Sequence, residues 1–519
     1  MEFRRREAHR LALCLRRWGE LVIARGALDS SYRHVRIRNV VACVVLAIPL
    51  MAVRPADAPL DMRLHIDASL RTNAVYHLAC LGGSISCSRD IFERFWKDRL
   101  HESVDDRQTV AAWQRLLAGA VARAPEMEPS PLLINASPMH PDGLVRRQVI
   151  VGLIETRSAV ALQRRASELS RSEASELIGL VDRVERRLRP WWTAEGERSA
   201  NAGIRGVTDT ARRNHMTVAL GRMAQFLESA PPSRDAYVHA IAPPEPASKD
   251  YTATAILNHL PIEAVSAAAD DPNVIVHGAV HELTHYLYDY IPRDKHLALV
   301  KEFVASGAPS VAGIYSYLHE AMAISAQGIY GDALKSSNSD HEEDGDTGYR
   351  HPYIPVLADV AAPLVKAAVA RNDHLVGGFS KSYIAGALSK LGGRRNELPF
   401  VFAQAVLVTT SGKREFDDAF QRTLFPVGTV RFTDLAKAEA FPDANVVQFS
   451  AYAELGGLRD PQLVNLRDTR RGFAFASQRG RSGYHLIVAG RSDDDILAVI
   501  GKLGDVDALI GPGLVVSID

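Results

Sequence analysis

Apolar positions along this chain change period several times, and each change marks an expected element. Met62-Arg63-Leu64-His65-Ile66-Asp67 alternates as a strand does, and 69–82 and 89–100 then carry apolar residues at helical spacing. Residues 157–188, rich in Arg, Glu, Ala and Leu and free of Pro and Gly until Gly179, predict one or two long amphipathic helices ending before Pro190. From Asp235 the period returns to two, so 236–241 and 252–257 are expected strands separated by a Pro-rich turn. The stretch 274–290 has no Pro and is apolar on one side, which predicts a helix closed by a turn at Pro292. Residues 332–352 are aperiodic and acidic, as a surface loop is, and 353–371 and 380–391 read as helices with a stop at Gly392-Gly393. Toward the end, 472–476 and 484–490 read as strands. Ser492, followed three residues later by Asp495, then opens a helix, and 513–518 closes a small α/β module.

These patterns predict an α+β fold divided into 1–58, a mainly helical region over 59–234, a region over 235–440 that carries the chemistry, and a small α/β domain over 441–519. With 519 residues, 47% of them hydrophobic and 24% charged, the chain has length for two or three domains with full cores. Lys+Arg and Asp+Glu each number 61, so no overall basic field exists to attract nucleic acid. Charge is uneven, however. Ten arginines precede residue 39, an apolar run follows over 40–53, and Ala56-Asp57-Ala58 supplies small residues at a cleavage point. Residues 1–58 therefore read as an export signal, with an uncleaved membrane anchor as the alternative, and the mature chain is expected in the periplasm or outside the cell. Cys80 and Cys87 lie beyond that signal, and the sequence leaves a disulfide and two buried thiols equally open.

The chemistry is concentrated in His281-Glu282-Leu283-Thr284-His285. Four residues make just over one helical turn, so both histidines project from one face and can place two imidazole nitrogens on one metal ion. Glu282, turned about one residue around the helix, is placed to act as general base toward a water on that metal. A catalytic zinc takes three protein ligands, and the expected third is Glu320, an acidic residue in an apolar helical stretch 35 residues after His285. A carboxylate on such a stretch is costly unless paired or metal-bound. His319 is expected beside it as a hydrogen-bonding neighbour. His277 and Asp289, four residues before His281 and four after His285, are expected partners that orient the imidazoles.

These residues resemble a known group. His281-Glu282-Leu283-Thr284-His285 with Asp289-Tyr290 looks like the zinc helix of the thermolysin-like gluzincins, and Glu320-Ala321 resembles the Asn-Glu-Ala that brings their third ligand. The two helices are also similar to uncharacterised exported bacterial proteins predicted to be peptidases. The resemblance spans roughly 235–330 and implies a mainly helical zincin-type core, one zinc ion and a peptide or protein substrate. It also implies an oxyanion donor beyond the third ligand; Tyr353, His351, His374 and Tyr383 qualify, and Tyr383 is the one expected. Two positions depart from the pattern: Ile324 stands where those enzymes carry the Asp that orients a zinc histidine, and His319 replaces the Asn. Two other readings share the same residues, an inactive exported scaffold that binds without cleaving and a metal-dependent amidase acting on cell-wall or other non-peptide material.

Overall fold

A computed structural model of the chain describes residues 62–125, 141–242, 253, 255–263, 272–308, 311–335, 352–424, 426–455, 460–480, 483–505 and 510–519. The export segment expected at 1–58, the acidic loop over 336–346 and His351 lie outside the described residues. The fold is α+β, mainly helical with small sheets, as the pattern predicted. Among the described residues no helix is long and apolar enough to cross a membrane.

Three parallel strands form the first sheet, β1 (Arg63–Asp67), β2 (Asp235–Ile241) and β3 (His259–Glu263), in the order β1-β2-β3. Strand alternation gives the sheet one apolar face, with Leu64, Ile66, Val238, Ala240, Leu260 and Ile262 joined to the main core. The opposite face carries His65, Asp67, Tyr237, His239 and His259. Buried polar groups need partners, and here they form a chain. Asp67 bonds His239 Nδ1, His239 Nε2 lies 2.8 Å from His259 Nδ1, and His259 Nε2 lies 3.0 Å from Glu155 Oε1. Glu155 ends the helix Pro141–Glu155 and pairs in turn with Arg165, so this array ties the N-terminal helices to the sheet.

The sequence placed the third strand at 252–257, and the structure corrects it. Ala253 and Ile256 make only isolated antiparallel bridges, to Ile262 and His259, and the strand proper is 259–263. A two-residue turn causes the shift. Ile256 and His259 exchange backbone hydrogen bonds of 2.7 and 3.1 Å across Leu257-Asn258, and Leu257 takes a left-handed φ of 57°.

Helix Arg171–Trp191 begins in a capping box between Ser170 and Glu173 and runs through Pro190 instead of stopping before it. Burial of Trp191 and Trp192 holds the helical course at its end. Helix Leu70–Leu81 ends near the Cys80–Cys87 disulfide, so the bridged alternative is the one realised. Just beyond the bridge, the Ser88 N–H donates to Glu263 Oε1 at 3.0 Å, and Tyr76 Oη–H donates to the same oxygen at 2.9 Å.

The second sheet has six strands in the order 428–432, 404–409, 446–451, 483–490, 472–479, 513–518. The first four are parallel, and 472–479 runs antiparallel between its two neighbours. Helices Arg414–Leu424 and Asp493–Leu503 cover one face through Phe416, Phe420, Ile496, Val499 and Ile500. The α/β module thus starts at Gln404, and a boundary at 441 cuts through its sheet.

Candidate metal centre

Helix α1 (Pro272–Asp289) buries Ile275, Val276, Ala279, Val280, Leu283 and Leu287 and turns His281 and His285 to its other side. Helix α2 (Leu318–Lys335) packs beside it. Glu320, in the first turn of α2, is thereby brought to the two imidazoles.

The His281 and His285 Nε2 atoms lie 3.1 Å apart, and they stand 3.4 and 3.5 Å from Glu320 Oε2 and Oε1 respectively. Among the described residues this is the one His/Cys/Asp/Glu group placed to hold a metal ion, its ligand atoms all within 4.8 Å of one another. Bonds of 2.0–2.1 Å in a tetrahedral zinc site set ligand atoms about 3.3–3.4 Å apart, so these separations fit that ion. A second observation agrees. Glu320 Oε2 is buried and makes no hydrogen bond of ordinary geometry, a costly state for a carboxylate oxygen without a cation. Burial alone would raise the Glu320 carboxyl, but His281, His285 and His319 hold it far below the usual carboxylate range.

The remaining expected residues divide. Glu282 Oε2 accepts a 2.8 Å hydrogen bond from the Ala255 N–H, so the segment before the turn fixes the carboxylate expected to act as base. Asp289 Oδ2 accepts from the Arg147 guanidinium at 2.8 Å; burial pushes its carboxyl up, while Arg147, His285 and His319 pull it the other way. His319 Nε2 lies 3.4 Å from Glu320 Oε1, beside the carboxylate as anticipated. His277 meets the site through its backbone, its carbonyl accepting from Gln327 Nε2 at 3.3 Å.

Tyr383 stands apart from this group. It is fully buried, its ring stacks on Phe379 and tilts against Phe303, and its hydroxyl makes no hydrogen bond. A hydroxyl enclosed in this way does not reach a substrate without repacking of the core. Tyr353 is also buried, and its hydroxyl donates to Glu397.

Two participants are not among the residues the sequence singled out. Gln327 Oε1 lies 3.3 Å from His281 Nδ1, and the Ala255 N–H reaches Glu282. Glu320, Ile324 and Gln327 share one face of α2 at spacings of four and three, and Gln327, one turn beyond Ile324, is the residue that reaches His281. Helical spacing alone would have shown that Gln327 faces the same way as Glu320. No known protein family, no curated protein and no solved structure matches this chain.

Proposed function

We propose that the chain is a zinc-dependent peptidase of the gluzincin type, built on a zincin-type core. The observation that carries this reading is the triangle of His281, His285 and Glu320 donor atoms, spaced as a tetrahedral zinc site requires, with Glu282 one position along the same helix. A zinc ion held there supplies Lewis acidity that polarises a carbonyl and acidifies water. Glu282, steadied by the Ala255 N–H, takes the proton from the attacking water and returns it to the leaving amine. Ala253 and Ile256 bridge β3, and the other edge of that segment is suited to pairing with an extended peptide. Export to an oxidising compartment belongs to the same reading and is supported by the Cys80–Cys87 bridge.

Metal analysis of the full chain is expected to give one equivalent of zinc in the wild type and in Glu282→Gln, and none in His281→Ala or Glu320→Ala. Zinc retained at full stoichiometry by Glu320→Ala removes that residue from the ligand set. A peptide-library cleavage screen with Glu282→Gln as the blank then tests the activity. Equal signals from wild type and blank would leave the scaffold reading, and cleavage of cell-wall amides alone would leave the amidase.

A further inference from the structure

Gln327 is a neutral acceptor at a place where a carboxylate commonly backs a metal-binding histidine. Its orientation follows from its two neighbours. The His277 carbonyl can only accept, so the Gln327 amide NH2 points to it, at 3.3 Å, and the amide oxygen faces His281 Nδ1, also at 3.3 Å. That nitrogen must then carry the ring hydrogen, which leaves the lone pair of Nε2 directed at His285 and Glu320. We propose that Gln327 is the positioning residue that fixes His281 as its Nδ1–H tautomer, and that it does so without adding negative charge to the site.

The inference rests on the zinc reading for its consequence. Two neutral imidazoles and the Glu320 carboxylate, as ligands, leave a divalent ion with one positive charge that the ligand set itself does not balance. Asp289 does not cancel it, because Arg147 already pairs with that carboxylate. The centre therefore holds zinc less tightly than one backed by an Asp or Glu, and polarises what the ion binds more strongly.

Two measurements on the full chain test this. Zinc competition against a chromogenic chelator is expected to show Gln327→Leu weakened about 10–100-fold and Gln327→Glu tighter than wild type, with metal-free melting curves recorded for each variant. Long-range ¹⁵N–¹H spectra of the metal-free, histidine-labelled chain are expected to place the His281 proton on Nδ1 in the wild type and to lose that preference in Gln327→Leu. Unchanged zinc affinity in Gln327→Leu overturns the support Gln327 gives the site, and Gln327→Glu no tighter than wild type overturns the charge argument. An unchanged tautomer overturns the positioning role. A wild type that binds no zinc but shows the tautomer and its loss would reject the metal reading while keeping Gln327 in its place.

Discussion

His77 lies fully buried in helix Leu70–Leu81, its Nδ1 accepting a 3.0 Å hydrogen bond from Trp96 Nε1–H, with Phe92, Phe95 and Trp191 around the ring. Burial pushes its pKa down from 6.5 to about 3. The unfolded chain therefore binds a proton there that the folded chain refuses, so this contribution to stability is complete above pH 6.5 and drains away as pH falls toward 3. The loss is about 1.4 kcal/mol for each pH unit in that window. His485, lowered to about 4 by burial and then by Arg479, acts in the same direction. Urea unfolding followed against pH is expected to show the decline, and His77→Gln to flatten part of it; an unchanged slope in the variant would assign the acid sensitivity elsewhere. At this scale the sequence exposed His281, Glu282 and His285 because their spacing matches a helical turn. It exposed Glu320 because a carboxylate on an apolar stretch demands a partner. It did not reveal that Tyr383 is fully buried, since only packing distinguishes one of 15 tyrosines from another.

Helix Asp493–Leu503 shows what local rules decide well. Ser492 and Asp495 form the anticipated capping box, the Asp495 N–H donating to Ser492 Oγ at 3.3 Å and the Ser492 N–H to Asp495 Oδ2 at 3.2 Å. Ser492→Ala is expected to cost about 1 kcal/mol, read as a lower denaturation midpoint, whereas a change within error would mean that tertiary packing alone sets this helix start. Strand β3 shows what such rules miss. All five residues of His259-Leu260-Pro261-Ile262-Glu263 are buried, so no alternation of polar and apolar positions marks them, and Pro261 argues against a strand. The alternating stretch just before it drew the assignment instead.

Over the whole molecule, class was legible and boundaries were not. The mainly helical α+β fold follows from periodicity, but strand Gln404–Thr409 pairs with Val446–Ala451 far along the chain, and no local pattern announces that partnership. The corner near Cys80 and Cys87 has a similarly long reach. The bridge closes the loop that leads to Ser88, whose N–H holds Glu263 at the end of β3; β3 bridges Ala253, and the neighbouring Ala255 N–H holds Glu282. Replacing both cysteines by serine is expected to cost about 2.5 kcal/mol from the closed loop's chain entropy, measured by denaturant unfolding. On the proposed reading Glu282 governs turnover and not metal retention, so the variant is also expected to cleave more slowly while still holding its zinc; zinc loss in step with activity would break the linkage. Maturation of this chain is then a matter of timing. On the proposed reading, oxidation of two thiols precedes full competence, and a chain kept reduced would hold its zinc beside a slack Glu282 until it is oxidised.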